Sequence, residues 1–246
     1  MRDEAALEMD IRPLVTCIMP TYNRRRFVPR AIEYFLRQDY DRSELLIVDD
    51  GTDPVRNLVP DTPRIRYAAL PSRVCLGAKR NLACEQASGD IILHWDDDDW
   101  QAPNRVRYQV ESLVERGADV CGINQILFFD CRDRTAWMYA YPPAERFWLY
   151  GNSLCYRREF WERNRFEDVN VGEDTLFVWR SKNALMVPLA DSTFHVSIVH
   201  GDNVSDPRPS GLYWRRCDTD VVRRLLGPDG EFYETASVAP GPTTRA

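Results

Sequence analysis

Four short apolar runs, each breaking off into polar residues, constrain this chain more than any other feature of its sequence. They are LVTCIM (Leu14–Met19), LLIV (Leu45–Val48), RIRYAAL (Arg64–Leu70) and DIILHW (Asp90–Trp95). Runs of this length and composition read as strands, and the continuous ones as strands buried on both faces. Between the first two, Phe27–Arg37 places Val28, Ala31, Ile32, Phe35 and Leu36 on one helical face. Between the last two, Gly77–Ser88 reads as a helix stopped by Gly89. Strand, helix, strand, strand, helix, strand is the alternation that builds a parallel sheet covered by helices. The expected class is α/β, with a mostly parallel central sheet flanked by helices.

The polar residues gather just past the strands' C-terminal ends. Asn23 follows the first strand, Asp49 and Asp50 the second, and Asp96–Asp99 the fourth. In open parallel sheets, ligands bind in the crevice outside those ends. The run of four aspartates is the most demanding of these clusters, because adjacent like charges repel. Unless a cation answers them, some stay protonated or sit fully in water. A solvated acidic turn is the bland reading, but convergence of three polar clusters on one edge favours a site.

The second half is less regular. Ala102–Gly117 reads as a helix with Val106, Val110, Leu113 and Val114 on its core face. ADVCGINQILFFD and TAWMYAY read as strands able to form a hairpin; SLCYRREFWERN reads as strand into helix. GEDTLFVWRSKNA begins a helix behind acidic residues, which suit the positive end of a helix dipole. Residues 1–12 are expected to be flexible, 13–226 to form one domain, and 227–246, rich in Pro, Gly, Ser and Thr, to be a disordered tail. Within that domain, 13–100 and 101–226 form two halves.

A length of 246 residues with 44% hydrophobic content is enough for a real core. The net charge of −6 argues against a nucleic-acid partner, which needs a broad basic surface. No apolar run is long enough for an integral membrane span, and acidic residues stand where a signal peptide needs an apolar stretch. A soluble, cytoplasmic protein is the expectation; the oligomeric state is left open. The seven cysteines are scattered, form no C-x-x-C pair and read as buried thiols.

Carboxylates at a strand end without cysteine ligands suit a hard cation, Mg²⁺ or Mn²⁺. The EF-hand, P-loop and dinucleotide glycine patterns are all missing. A metal held by acidic residues is then the natural way to manage a diphosphate.

Five motifs in order extend this reading over Leu14–Ser205. VTCIMPTYN, then LLIVDDGTD, then LGAKRNLACEQASGDIILHWDDDDW, then GEDTLFVWR and HGDNVS together resemble glycosyltransferase family 2 enzymes. The resemblance implies a GT-A fold, with a Rossmann-like nucleotide-binding half and an acceptor-binding half. It also implies an inverting transfer from a nucleoside-diphosphate sugar, UDP-sugar being the favoured donor. Residue by residue, Pro20, Thr21, Tyr22 and Asn23 would line the base. Asp50, with Asp49, would accept from the base imide or the ribose, and Lys79 and Arg80 would flank the nucleotide-sugar. Asp96 and Asp98 match the D-x-D spacing. Asp98 is the first choice for the metal, with Asp96 and Asp99 sharing metal and ribose contacts and Asp97 the least suited. Asp174 would be the general base and His200 a third metal or diphosphate ligand. The nearest fragment to the Q-x-x-R-W motif of processive members is LYWRRCD, so transfer of a single sugar is expected.

Plainer readings stand beside these roles. Asp174, beside Glu173, would also serve as a helix cap. A lone histidine such as His200 is ordinarily structural, His94 has a packed or supporting place, and His195 belongs to the core. Trp100 and Trp148 could stack sugars or simply wall a pocket. Arg24–Arg26 could attract diphosphate or form a solvated turn. A sugar nucleotidyltransferase would use similar acids but wants a Gly-rich loop where PTYNRRR has none. A non-catalytic nucleotide-sugar-binding module would tolerate loss of the D-x-D and E-D motifs, and both are intact.

Overall fold

The computed structural model describes residues 12–204, 207 and 209–236. The first half runs β1 (Val15–Thr21), α1 (Val28–Leu36), β2 (Ser43–Asp49), β3 (Ile65–Ala69), α2 (Leu76–Gln86) and β4 (Ile91–His94). It continues through β5 (Trp100–Gln101), α3 (Arg105–Glu115), β6 (Val120–Gly122), β7 (Gln125–Asp130), β8 (Thr135–Ala140), β9 (Cys155–Arg157) and α4 (Arg158–Arg163). Then come α5 (Glu173–Arg180), β10 (Met186–Pro188), β11 (His195–Val199), β12 (Trp214–Cys217), α6 (Thr219–Leu226) and α7 (Gly230–Ala236).

Among the described residues, twelve strands form two sheets, one of seven in the order β10-β6-β9-β4-β1-β2-β3 and one of five in the order β12-β8-β7-β11-β5. In the larger sheet β4, β1, β2 and β3 are mutually parallel, as the βαβ alternation requires, and β9 runs against β4 and β6. Alternate residues of these strands enter two separate cores. Cys17, Met19, Leu45 and Ile47 join one, with α1; Ile18, Leu46, Val48 and Ile92 join the other, with Ala83 and Cys84 of α2. Burial on both faces explains why the strands read as unbroken apolar runs. In the smaller sheet β7 and β8 form an antiparallel hairpin and β12 extends it.

Three expectations need correcting. Leu36 is 42% exposed, and Tyr34 takes the buried place on α1 under the guanidinium of Arg37. Val114 is 47% exposed because α3 turns Arg105 and Gln109 inward, where they build a polar network. The expected tail is partly structured: α7 packs on the first half with Tyr233 buried. Just before α7, the buried Asp229 carboxylate accepts from Trp100 Nε1 at 3.0 Å and from Arg37 at 2.7 Å. Residues 237–246 and residues 1–11 lie outside those described. All seven cysteines are free, five buried and Cys75 and Cys217 half-buried.

Candidate active site

Strands β1 and β4 end at the mouth of a cleft of about 990 Å³, lined on one side by the first half and on the other by β7, β8, β11, β12 and the start of α5. The acidic run is the chain's passage between the two sheets. Trp95, fully buried, hydrogen-bonds to Ala31 O at 3.2 Å at one end, and Trp100 pairs into β5 against β11 at the other. Pinned by two tryptophans, the four carboxylates turn to four different sets of partners.

Asp96 faces Arg80 at 3.7 Å, and its Oδ1 is buried with no hydrogen-bond partner among the described residues. Burial pushes its carboxyl up to about 6, against the pull of Arg80. Asp97 turns away: its Oδ2 accepts from Thr21 Oγ1 at 2.6 Å, with Arg24 at 3.9 Å from Oδ1. Burial and the neighbouring Asp98 push it up to about 8. For Asp98, burial is outweighed by the hydrogen bond from His200 at 3.0 Å and by Arg24 at 3.6 Å, so its carboxyl is lowered. Asp99 is bound to β11, accepting from Ile198 N at 2.8 Å and Ser197 Oγ at 3.2 Å, and from Asn152 Nδ2 at 2.7 Å. Burial and the charges of Asp98 and Asp96 raise it well above the ordinary range.

Asp96, Asp98 and Asp99 offer oxygens within 4.8 Å of one another, and Asp97 is not part of that group. The orphaned Asp96 Oδ1 and the oxygen-only donor set fit a hard divalent cation. Asp99, with its oxygens already filled by donors, fits it least.

On the floor, Lys79 donates to Thr21 O at 2.9 Å and pairs with Asp50, whose other oxygen accepts from Val74 N at 2.9 Å. Arg80 is buried, pairs with Glu173 at 3.2 Å, and leaves one guanidinium nitrogen without a partner among the described residues. Pro20, Thr21, Tyr22 and Asn23 line the cleft, with Arg73 over the Tyr22 ring at 4.2 Å. Asn23 adopts φ 55° and accepts from Asp53 N at 3.1 Å, tying the turn after β1 to the turn after β2. A side chain on Gly51 would meet Asn23 Oδ1 at 2.7 Å, so the close approach of these turns requires glycine there.

Comparison with known proteins agrees with this geometry. The family model described as glycosyl transferase family 2 matches residues 16–173. The chain belongs to glycosyl transferase family 2. A relative in Escherichia coli K12, WcaA, provisionally named a colanic acid biosynthesis glycosyl transferase, is 32% identical over 188 residues, covering 72% of this chain and 61% of its own. Among solved structures, Staphylococcus aureus TarS 1-349 in complex with UDP has a TM-score of 0.60 at 21% identity, over 76% of this chain and 61% of its own. The mannosyltransferase PcManGT from Pyrobaculum calidifontis, in complex with GDP-Man and Mn²⁺, has a TM-score of 0.58 at 21% identity, over 77% and 57%. The fold is of the GT-A type. The chain thus spans about three-fifths of the length of each of these three proteins.

The family match stops one residue before Asp174, which opens α5 and lines the cleft. Gly172, at φ 82°, turns the chain into the helix, and Asp174 Oδ1 accepts from Thr175 N at 2.6 Å. Its Oδ2 lies where a side chain on Gly151 would stand, 1.8 Å from an added Cβ. His94 holds that Gly151 in place, with Nδ1 at 2.7 Å from Gly151 O, and burial keeps its imidazole neutral. His94 is thus a supporting residue, as the sequence suggested.

Other family positions act differently from expectation. Asp49 does not line the cleft. Its carboxylate accepts from Gly51 N, Val55 N and Tyr67 Oη at 2.8–2.9 Å, so it organises the loop after β2. Asp50 also stands behind the lining, held by Lys79. His200 is engaged at both ring nitrogens: Asp202 N donates to Nδ1 at 3.1 Å, and Nε2 stands 3.0 Å from Asp98 Oδ2. Stacked on Phe27 at 4.5 Å, His200 positions Asp98. Trp100 faces Asp229, not the cleft, while Trp148 does line it. His195 is fully buried but stands 3.4 Å from Asp99. Arg24 is not a solvated turn residue; it is largely buried beside Asp97 and Asp98.

Two residues escaped the sequence reading. Asn152 holds Asp99, and fully buried Arg105 donates to His94 O at 2.8 Å and to Asn152 O at 2.6 Å, knitting β4 to the loop before β9. Burial lowers the Arg105 guanidinium to about 10. Its i, i+4 pairing with Gln101 and Gln109 was the available signal. Asn152 has none, because its partner lies 53 residues away.

Proposed function

We propose that this chain transfers a single sugar, with inversion, from a nucleoside-diphosphate sugar to a hydroxyl or similar nucleophile of an acceptor. The observation that carries this reading is that Asp174 faces the same cleft as the acidic group Asp96, Asp98 and Asp99 and the cations Lys79 and Arg80. UDP is the favoured nucleotide, in keeping with the UDP complex of TarS. All seven cysteines are free thiols, as a reducing cytoplasm favours.

Pro20 to Asn23, with Arg73 over the Tyr22 ring, form the seat for the base, and Asp50 supports it from behind by holding Lys79 and the backbone N–H of Val74. Lys79, Arg80 and Arg24 lie where diphosphate charge would be held. Asp96 and Asp98 would hold Mn²⁺ or Mg²⁺, with Asp99 adding support from behind. Such a cation neutralises the charge that develops on a departing diphosphate. Asp174 takes the acceptor proton as the oxygen attacks the anomeric carbon from the far side, and the C–O bond to diphosphate breaks.

A thermal-shift screen of nucleotide-sugars, with and without Mn²⁺, tests the reading. A UDP-sugar should raise Tm by several degrees only with the metal, and that sugar should be slowly hydrolysed. Stabilisation by nucleoside triphosphates plus sugar phosphates, with no effect of any nucleotide-sugar, would instead support a nucleotidyltransferase.

A further inference from the structure

The wall of the cleft opposite the cations is built of aromatic rings that the proposed reaction leaves without a task. Phe128 of β7, Tyr139 of β8 and Trp214 of β12 stand on one face of the smaller sheet, since Tyr139 pairs directly with Trp214. Their rings are in contact, with centroids 5.0 Å apart for Tyr139–Trp214 and 4.9 Å for Phe128–Trp214. Trp148 and Tyr150 close the row, at 5.8 Å from Tyr139 and 5.9 Å from Phe128. All five line the cleft, and four of them are only half-buried. Trp148 is joined to the start of α5 by a 3.1 Å hydrogen bond from Nε1 to Thr175 Oγ1, next to Asp174.

Among the described lining residues, positive charge is confined to one side of the cleft, while carboxylates stand on both. The cations among its described lining residues, Arg24, Arg73, Lys79 and Arg80, all belong to the first half. The second half contributes Glu173, Asp174 and Asp202, and no cation among the described lining residues. A negatively charged group on this side would meet carboxylates and find no counter-ion among the described lining residues. The flat C–H face of a pyranose ring, by contrast, buries apolar area on half-exposed rings and presents its hydroxyls to the carboxylates.

We infer that this wall binds the acceptor, and that the acceptor is a neutral saccharide of at least two pyranose units, stacked along Trp148, Tyr139 and Trp214. Two units match a row of three rings in which Tyr139 stands 5.8 Å from Trp148 and 5.0 Å from Trp214, centroid to centroid. The inference rests on the transfer reading above and adds the acceptor's chemical class.

Saturation-transfer NMR on the full chain tests it, with methyl β-lactoside, methyl β-cellobioside and methyl α-maltoside as neutral probes and a glucuronyl glucoside as the acidic one. Each is measured with and without UDP and Mn²⁺, and UDP binding is followed separately by calorimetry. At least one neutral glycoside should receive saturation at its ring C–H protons, and the acidic disaccharide at least fivefold less. Trp214→Ala and Trp148→Leu should each reduce the neutral signal at least fivefold with UDP affinity within twofold of native. Trp214→Phe, which keeps a ring, should restore part of it, and a native-like melting curve excludes misfolding as the cause. The inference is overturned if no neutral glycoside binds, if both wall variants bind as well as native, or if the acidic disaccharide binds equally. Loss of UDP binding in the native protein would overturn the donor reading by itself, leaving the glycoside measurements to decide the wall.

Discussion

The two walls of the cleft are held together by different forces. The first-half wall is a lattice of charges: Lys79 with Asp50, Arg80 with Glu173 and Asp96, Arg24 with Asp97 and Asp98. The second-half wall is a row of rings with no cation among its described lining residues. A buried ion lattice is unforgiving, since removing one partner strands another charge. Rings packed edge to face or tilted accept substitutions of similar shape at small cost. One wall therefore suits a ligand whose charges are constant, and the other a surface that can be re-tuned. The variants below separate the two, beginning where the walls meet.

Asp174 stands at that meeting point, and Asp174→Asn should give the largest effect. It keeps the size and the acceptor for Thr175 N but cannot take a proton. Transfer should fall about 10²–10⁴-fold, with UDP affinity unchanged. Turnover within threefold of native, measured on the donor found by the thermal-shift screen, would remove Asp174 from the reaction.

Arg80→Met tests the ion lattice itself. It leaves Glu173 buried without its cation and Asp96 without its nearest positive charge, which should cost about 3–5 kcal/mol of stability. Adding Glu173→Gln should recover a large part of that loss. In Trp214→Leu on the other wall, the loss should stay near 1 kcal/mol, since β12 is half-exposed. Urea unfolding of the variants compares the walls directly; equal losses at Arg80 and Trp214 would erase the distinction.

The same contrast governs what could be read in the sequence. The first half was legible because its signals are local: apolar runs, a helix period, and acids placed directly after strands. Asp96 and Asp98 were separated from Asp97 by D-x-D spacing, and the structure turns Asp97 away to Thr21. The second half depends on pairings between distant segments. Asp99 is held by Ser197, 98 residues on, and nothing near Asp99 announces it. The aromatic row assembles only when β8 pairs with β12, so Tyr139 and Trp214 looked unrelated in the sequence. Composition misled at the C-terminus, where glycine and proline suggested a tail. Asp229 lies within that stretch, and its buried hydrogen bonds to Trp100 and Arg37 override the local propensity.

Asp229 is also an ionic tie between the C-terminal segment and the first half, so it probes the boundary between the two modes. Asp229→Ala leaves Trp100 Nε1 without its acceptor and frees α7 from Arg37. A loss of about 1–3 kcal/mol is expected, together with faster amide exchange in α7. Unchanged exchange there would mean that apolar contacts of Tyr233 hold the segment alone.

The smallest effect expected is one of pH, and it should fall on the first half only. Glu44 is buried at the base of β2, where it accepts from Thr16 Oγ1 at 2.7 Å, Ser88 N at 2.8 Å and Arg66 at 3.3 Å. Burial alone would raise its carboxyl, but the donors from Ser88, Thr16 and Arg66 outweigh burial and lower it below the ordinary 4.5. A folded-state value below the unfolded one means that the unfolded chain binds the proton more tightly. The stability Glu44 contributes is therefore fully present above pH 4.5 and is lost as pH falls through its folded value. Glu44→Gln should cost about 1 kcal/mol at pH 7 and progressively less below pH 4.5. Hydrogen exchange read strand by strand should show acid loosening β1, β2 and the turn at Gly89 before it loosens β7 and β8, whose shared face is built of rings. A cost of Glu44→Gln that stays constant from pH 7 to pH 3.5 would show that shape and not charge holds this end of the sheet.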